Sequence, residues 1–270
     1  SASIIKPPVN PHFNASVGCG IVRCQVVNSG KPRVYMLGFE EYNGALYMHV
    51  KDVKIDFLGH SGFLISDSSG KRIVIDPYNV SKDIKPVDLI LITHSHYDHC
   101  SIKDIEKLKR EGTTIVIPAD CQSKITKVDE IKMEIIEVGD KLELGGIKIS
   151  ATCAYNVNKD FHPKREGWLG YLLNIDNVIL YHAGDTDKIP EMKKLTGYGK
   201  KGNKFIVMLP VSGKYVMDAE EAAEVASLLS PDLAIPMHYG AGVAGELADA
   251  ERFVELCREL NVRAEILEKI

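Results

Sequence analysis

Four potential metal ligands occur within six residues of this chain, in the stretch His94-Ser95-His96-Tyr97-Asp98-His99. Imidazole and carboxylate groups hold a divalent ion only when several of them converge on it. A tight turn lets alternate side chains point into one pocket, so this spacing is suited to metal binding. Because three of the nine histidines fall in this turn, a polar turn with scattered histidines is a poor alternative.

Two more ligand types follow apolar runs further along the chain. Asp185 comes after the run 178–181, and His238 comes after the run 233–236; each lies in a turn that contains glycine. Taken singly, Asp185 would be a turn residue and His238 a surface histidine. Taken together with 94–99, they have the arrangement expected of ligands that gather at one edge of a sheet.

The stretch 94–99 lies between an apolar run and a helical pattern. Residues 87–93 read as a buried strand that ends where the ligands begin. Ser101 and Asp104 then resemble a capping box that opens a helix, and Gly112 suits the end of that helix. The ligands are therefore predicted to occupy a strand-to-helix turn.

Regular strand and helix patterns continue on both sides of this turn. Strands are predicted at 53–58, 63–65, 72–75, 113–117, 131–138, 142–151, 170–175, 178–181, 205–209 and 233–236, and helices at 188–196, 218–229 and 246–260. The runs 131–138 and 142–151 are expected to pair with each other. Strands dominate the first half and alternate with helices in the second, which predicts a layered α/β fold with sheets inside and helices outside.

The first 50 residues carry no motif that indicates a function. Short strands are expected at 21–27 and 33–37, with turns near 28–30 and 43–44. We predict an N-terminal extension of unknown role at 1–50, solvated or oligomer-forming, and one main domain at 51–270.

Composition narrows the classes of partner. The chain has 270 residues, a net charge of −4 and no dense basic stripe, so no nucleic-acid partner is expected. No apolar run approaches the roughly 18 residues of a membrane span, and residues 1–13 do not resemble a secretory signal. The six scattered cysteines favour free thiols in a reducing compartment. We therefore expect a cytoplasmic protein whose partner is neither a nucleic acid nor a membrane.

The strand-end turns resemble those of the metallo-β-lactamase superfamily. The matching segments are His94-x-His96-x-Asp98-His99, Ala183-Gly184-Asp185-Thr186 and Pro236-Met237-His238. Three further segments resemble its bacterial and archaeal branch of uncharacterised metal-dependent hydrolases, akin to ascorbate-lactonase-like proteins: Gly59-His60-Ser61-Gly62, Ile75-Asp76-Pro77 and Tyr181-His182-Ala183-Gly184-Asp185-Thr186. The resemblance covers about residues 53–268 and implies a four-layer αβ/βα sandwich with metals at one edge of both sheets.

The resemblance also implies two divalent ions, zinc first and manganese, nickel or iron as alternatives. The implied ligands are His94 and His96 for the first ion, Asp98, His99 and His238 for the second, and Asp185 for both. Asp76 matches a residue of the superfamily that hydrogen-bonds a metal ligand and orients it without binding the ion. From its residue type alone, a role in forming the turn is equally expected. His60 is expected near the rim of the pocket.

The third ligand of the first ion is open between two residues of the loop 153–168. The superfamily usually supplies a histidine from this loop, but Asn156 stands at the matching spacing and His162 comes six residues later. We favour His162, because imidazole binds a transition metal far better than a carboxamide does. If Asn156 is the ligand, the first site is weaker and suits a harder ion such as manganese.

The implied chemistry is hydrolysis of a small ester, lactone or phosphoester by a metal-bound hydroxide. Asp98 and Asp185 are the expected catalytic carboxylates, and Asp98 would orient the hydroxide. His182, Lys214 and Tyr239 are candidates for contacts with the leaving group or an anion, with a structural role as the alternative for each. Two other functions stay open: a phosphodiesterase acting on nucleotides or lipid head groups, and a metal-binding protein without turnover.

Overall fold

Eight strands form the first sheet and follow one another in chain order. The computed structural model describes residues 38–42, 45–199 and 202–270. The strands are β1 (Gly38–Tyr42), β2 (Ala45–Val50), β3 (Val53–Gly59), β4 (Gly62–Ser66), β5 (Arg72–Ile75), β6 (Leu89–Leu91), β7 (Thr113–Ile117) and β8 (Ile131–Ile135). Neighbours are antiparallel from β1 to β5 and parallel from β5 to β8.

Most of the N-terminal predictions fall on residues that the structure does not describe. These are the strands predicted at 21–27 and 33–37 and the turns predicted near 28–30 and 43–44. β2 pairs with β3 in antiparallel fashion. The division of the chain at residue 50 stays a prediction.

Six strands form the second sheet, in the order β14-β13-β12-β11-β10-β9. They are β9 (Lys141–Leu144), β10 (Ile147–Cys153), β11 (Leu169–Ile175), β12 (Val178–His182), β13 (Lys204–Pro210) and β14 (Leu233–Met237). The pairs from β9 to β12 are antiparallel, and those from β12 to β14 are parallel. The chain therefore fills one sheet before it builds the other.

The predicted pairing of 131–138 with 142–151 is wrong. β8 pairs with β7 in the first sheet, whereas 142–151 divides at a turn into β9 and β10 of the second sheet. Gly145 and Gly146 have φ values of 55° and 87°, which permit the tight turn between these two strands. A period-two pattern shows which face of a strand is buried but not which strand lies beside it.

In the described part of the chain, four α-helices lie outside the sheets: α1 (Ile102–Leu108), α2 (Gln122–Ile125), α3 (Ala219–Leu229) and α4 (Leu247–Glu259). Ser101 caps α1 and Asp218 caps α3, as predicted. The helix predicted at 188–196 is a 3₁₀ helix, Pro190–Leu195. Gly112 does not end α1, because the helix already stops at Leu108. Among the described residues, no helix has the length and apolar character needed to cross a bilayer.

Residues of a single strand alternate between two hydrophobic clusters. In β5, Ile73 and Ile75 belong to the larger cluster, which includes both sheets, α3 and α4. Val74 belongs to the smaller cluster, which includes α1 and α2. Successive side chains of a strand point to opposite faces, so the first sheet is buried on both. The resulting order of helices, sheet, sheet and helices is the predicted four-layer αβ/βα sandwich.

Backbone hydrogen bonds join the two sheets at the edge where β6, β12 and β14 end. The amide of Leu169 donates to the carbonyl oxygen of Thr93 at 3.0 Å, and the amide of His238 donates to that of His60 at 2.7 Å. The side chains that follow these strands therefore face one another across the edge.

Candidate metal centre

The turn 94–99 is fixed at both ends by hydrogen bonds. Before it, the amide of Thr93 donates to Asp76 Oδ1 at 2.8 Å. After it, the amide of His99 donates to the carbonyl oxygen of His96 at 3.1 Å, and α1 follows. The side chains of this short turn divide between two groups of potential ligands.

The first ligand group consists of His94, His96 and His162. One ring nitrogen of each lies within 4.8 Å of the others. His94 Nε2 and His96 Nδ1 face each other at 3.0 Å. His94 and His162 are almost completely buried, whereas His96 is partly open. The structure thus brings His162, and not Asn156, to the two histidines of the turn.

Asn156 instead holds His162 in place. Its Oδ1 accepts a hydrogen bond from the amide of His162 at 2.9 Å, and its Nδ2 donates to the carbonyl oxygen of Tyr215 and to Asp187 Oδ1 at 2.9 and 3.0 Å. His162 Nδ1 lies 3.1 Å from both Asn156 Oδ1 and the Tyr215 carbonyl oxygen. Both residues of the predicted alternative therefore contribute, one as a potential ligand and the other as its support.

The second ligand group consists of Asp98, His99 and His238. One potential ligand atom of each lies within 4.8 Å of the others, and a nitrogen of His60 lies within the same distance. His99 Nδ1–H donates to Asp76 Oδ2 at 2.7 Å, which fixes the ring. Asp76 therefore lies behind the ligands, where the resemblance implied it.

His60 is buried rather than near the rim of the pocket, where it was expected. Only 1% of its surface is exposed, and Nε2–H donates to Asp98 Oδ2 at 2.8 Å. Its backbone φ is 55°, in the left-handed region, so the turn directs the imidazole inward. Asp76 and His238 also have positive φ, 44° and 64°. Such strained conformations persist where the surrounding structure enforces them, and they cluster at functional sites.

Asp185 lies between the two ligand groups. The turn before it needs Gly184, which has a φ of 66° and where a Cβ would collide with the carbonyl oxygen of Leu169. Asp185 Oδ2 lies 3.8, 3.1, 3.3 and 3.0 Å from Nε2 of His94, His162, His99 and His238, respectively. Because one oxygen is this close to members of both groups, Asp185 is placed to bridge two ions.

The carboxylates of the centre are held in their charged form. Burial opposes this, but the hydrogen bond from His60 and the nearby His99 hold the pKa of Asp98 below its usual range. For Asp185, burial is likewise outweighed, and the nearby His238 and His99 hold its pKa well below the usual range. Within the described residues, histidine nitrogens lie within 4 Å of the carboxylate oxygens of Asp98 and Asp185, and no lysine or arginine nitrogen does.

The histidines respond to their surroundings in opposite directions. Burial lowers the pKa of His94 well below its usual value, and lowers that of His60 to about 4. Burial also opposes the charged form of His99, but Asp185 and Asp76 raise its pKa well above the usual value. The field of the carboxylates therefore favours positive charge at the position of His99.

The hydrogen bonds leave ring nitrogens free to bind an ion. Thr93 Oγ1–H donates to Asp76 Oδ2 at 2.6 Å, so this hydroxyl accepts from His94 Nδ1–H at 2.9 Å. The Nδ1 atoms of His99 and His162 likewise face only acceptors. In all three rings Nδ1 therefore carries a hydrogen, and Nε2, which faces the centre, is the nitrogen left to bind an ion, in His99 once its second proton is lost.

The centre also holds buried polar atoms without a hydrogen-bond partner: His99 Nε2, His162 Nε2 and Asp185 Oδ1. The two histidine nitrogens lie near Asp185 Oδ2 but not in line for a hydrogen bond. Leaving such atoms unpaired is costly unless another group satisfies them. Imidazole nitrogens and carboxylate oxygens suit zinc and other first-row divalent ions, so the residues present fit metal ions.

The remaining candidates lie away from the centre. His182 is fully buried, and its Nε2–H donates to the carbonyl oxygen of Ser61 at 2.9 Å. Tyr239 is buried and stacks on Phe57 with ring centroids 5.7 Å apart. Lys214 is exposed, and its ammonium nitrogen lies 4.8 Å from the centroid of the Tyr215 ring. None of the three candidates lines the cavity over the ligands.

Two supporting residues carried no signal that distinguished them in the sequence. Trp168 packs against the first ligand group, with its ring centroid 4.8 Å from those of His94 and His96. Ser212 Oγ lies 2.8 Å from His238 Nδ1. The sequence offered one hint for Trp168: it is the only tryptophan of the chain, and it lies in the loop that holds His162.

Comparison with known proteins identifies the class. The β-lactamase superfamily domain matches residues 54–238. A UPF0173 metal-dependent hydrolase of Thermococcus onnurineus is 36% identical over 215 residues, covering 76% of this chain and 92% of the relative. Another, of Koribacter versatilis, is 32% identical over 225 residues, covering 78% and 95%. The chain therefore belongs to the UPF0173 metal-dependent hydrolase family of the metallo-β-lactamase superfamily.

Solved structures agree on the fold. A protein of Parabacteroides distasonis assigned as a metal-dependent hydrolase has a TM-score of 0.69 and 27% identity, covering 86% of this chain and 99% of that chain. Igni18, a metallo hydrolase of Ignicoccus hospitalis, has a TM-score of 0.64 and 23% identity, covering 80% and 95%, and supports the fold alone. The predicted superfamily and its metal-dependent hydrolase branch are confirmed; the likeness to ascorbate lactonases stays a prediction.

Proposed function

We propose that this metal-dependent hydrolase uses two divalent ions, zinc in the first instance, to hydrolyse a small ester, lactone or phosphoester. The first ion would be held by His94, His96 and His162, the second by Asp98, His99 and His238, and both by Asp185. The observation that supports two ions is the position of Asp185 Oδ2 within 3.8 Å of ring nitrogens from both ligand groups.

When bound, such ions supply Lewis acidity and lower the pKa of a coordinated water from 15.7 to about 7. The chain supplies orientation and charge. Asp98 lines the cavity and is ionised at neutral pH because its pKa is held low. Its carboxylate is placed to accept a hydrogen bond from the attacking water, while His60 occupies Oδ2 and prevents the group from turning.

The buried floor of the centre also limits the entry of water. Asp98 and Asp185 are 5% and 3% exposed, and His238 is 1% exposed. Charges act more strongly in such a site than in bulk water, because the surrounding medium screens them less. The two carboxylates would therefore attract bound ions more strongly here than at an exposed site.

Metal removal and reloading test this proposal. The protein would be stripped with a chelator and reloaded separately with zinc, manganese, nickel and iron. Ion content would be measured by mass spectrometry, and hydrolysis would be followed on panels of esters, lactones and phosphodiesters. We expect two equivalents of ion and hydrolysis that returns only on reloading. A loaded protein that hydrolyses no member of the panels would contradict the proposed activity, and a saturating content of one equivalent would contradict the two-ion site.

A further inference from the structure

The cavity over the metal centre has a floor and a wall of different chemistry. It has a volume of about 280 Å³, at or slightly below the small end of ligand pockets. The floor is made by members of both ligand groups and Asp185. The wall is made by Tyr97, Phe161, Tyr215 and Val243. A cavity of this size admits a small substrate, and the chemistry of its wall determines which substrates bind.

Two wall residues expose apolar surface directly beside the ligands. Tyr97 is 63% exposed and Phe161 is 49% exposed. Each is adjacent in the chain to potential ligands, since Tyr97 lies between His96 and Asp98 and Phe161 precedes His162. Exposed aromatic groups that gather around one cavity indicate a binding surface, whereas isolated ones carry no such meaning.

The wall aromatics are held in defined orientations. Phe161 and Tyr215 have ring centroids 4.6 Å apart at an angle of 77°, an edge-to-face pair. Tyr97 makes a similar pair with Tyr78, at 5.9 Å and 75°. Such pairs are favourable beyond the area they bury. The cavity therefore presents two positioned aromatic surfaces to a substrate whose reacting group lies on the floor.

The wall carries no positive charge among the residues described. Of the residues that the structure describes, no lysine or arginine lines the cavity; the Lys214 ammonium lies 4.8 Å from the centroid of the Tyr215 ring but outside the cavity lining. Sites that recognise phosphate groups typically surround them with arginine or lysine, which bind the oxygens directly. An uncharged aromatic wall instead suits a neutral substrate with an apolar part.

We propose that the substrate is a neutral carboxylic ester or lactone with a flat apolar group that lies between Tyr97 and the Phe161–Tyr215 pair. This inference rests on the proposed function. In the reaction, the oxygen of water forms a bond to the acyl carbon and the bond from that carbon to the ester oxygen breaks. The leaving oxygen takes a proton from the attacking water and becomes an alcohol, which is released from an ester and stays on the same molecule when a lactone opens. The new carboxylic acid loses its proton and is a carboxylate.

A matched pair of lactones tests the apolar group. γ-Phenyl-γ-butyrolactone and γ-methyl-γ-butyrolactone share the same ring and a secondary alcohol as leaving group. We expect the metal-loaded protein to prefer the phenyl lactone about tenfold in kcat/KM, the size of one good aromatic contact. Bis(p-nitrophenyl) phosphate carries aromatic groups together with a negative charge, and it should be the poorest of the three substrates.

Variants of the wall show whether the preference arises there. Phe161→Ala and Tyr97→Ala should each lower the phenyl-to-methyl ratio about fivefold, and Phe161→Leu should lower it less because it retains apolar volume. Val157→Ala is the matched control, since Val157 is 54% exposed in the same loop but does not line the cavity. Its ratio should equal that of the parent protein.

The possible failures are distinguishable. If both lactones are hydrolysed equally well, or if bis(p-nitrophenyl) phosphate is the best substrate, this inference is overturned while the hydrolase function stands. If the loaded protein hydrolyses nothing, the proposed function fails. The affinity of the cavity for the two products then tests the inference about the aromatic wall. Calorimetry would then compare the two hydroxy-acid products. A tighter phenyl product that loses its advantage in Phe161→Ala supports the aromatic wall, and equal binding overturns it.

Discussion

The two ligand groups differ in how the chain positions them. The second group, Asp98, His99 and His238, stands at the ends of strands. Asp76 and His60 hold it with buried hydrogen bonds, and Ser212 holds it with a partly buried one. The first group takes His162 from a loop, where Asn156 and the carbonyl oxygen of Tyr215 hold it. One group is thus built into the sheet edge, and the other is completed by a segment between strands.

This difference has a thermodynamic consequence. Residues that orient metal ligands contribute to ion affinity because they reduce what must be ordered on binding. Loops open at a lower free energy cost than the strands of a core. We therefore expect the second group to hold its ion more tightly than the first, and the variants below test this from the largest effect to the smallest.

Asp185→Asn should lower the ion affinity of both groups, because it removes the charge that both groups share. We expect loss of hydrolysis by more than about a hundredfold, the upper range for residues that only support a ligand. Ion content should fall for both sites, as measured by mass spectrometry. Asp160→Asn makes the same chemical change at an exposed carboxylate and should be silent. Retention of two tightly bound ions in Asp185→Asn would refute the bridging role.

His162→Ala should weaken ion binding at the first group and leave ion binding at the second group unchanged. It removes one of three imidazoles from the first group and leaves the second group complete, so the protein should retain one equivalent of ion. Titration with zinc in competition with a fluorescent chelator would measure both sites. Val157→Ala, in the same loop, is the control. If His162→Ala retains both ions at the affinity of the parent, the first site does not use His162.

Asp76→Asn should weaken the second group. Asp76 Oδ2 accepts from His99 Nδ1–H, and an amide nitrogen at that position would place two donors against each other. We expect a loss of about 10- to 100-fold in affinity for the second ion. The same competition titration applies, with Asp160→Asn as the control. An unchanged second site would show that the ring of His99 is held by its packing alone.

Asn156→Ala should weaken only the first group, and by less than His162→Ala does. The imidazole would remain, but it would lose the acceptor that holds its backbone and one of the two acceptors near Nδ1. We expect about a tenfold loss in affinity for the first ion. Asn158→Ala replaces an exposed asparagine two residues away and serves as the control. A larger loss than that of His162→Ala would restore Asn156 as a ligand.

The sequence was sufficient to predict that the side chains of the second group lie together, because this depends only on the residues next to them in the chain. Each ligand follows an apolar run, and the end of a strand determines where the next side chains lie. The first group could not be completed in this way, because the choice of His162 over Asn156 depends on a carbonyl oxygen at Tyr215, more than 50 residues away. Likewise, the inward direction of His60 depends on a left-handed backbone that residue types do not reveal.

The same limit applies to the fold. The strands themselves were predictable from the alternation of apolar residues, and so were the caps at Ser101 and Asp218, where a side chain bonds an amide three residues later. The partner of β8 was not, because β8 and β9 have similar patterns and neighbouring positions in the chain. The two strands are assigned to different sheets only when both sheets are complete and packed against each other.

Trp168 makes one of the two ligand groups visible to spectroscopy. It is the only tryptophan of the chain, and its ring lies 4.8 Å from His94 and His96 and 5.4 Å from His162. Indole emission therefore originates beside the first group alone. We expect an ion held by the first group to change this emission more than an ion held by the second, so a titration of the unmodified protein followed by its own fluorescence would report which group binds first.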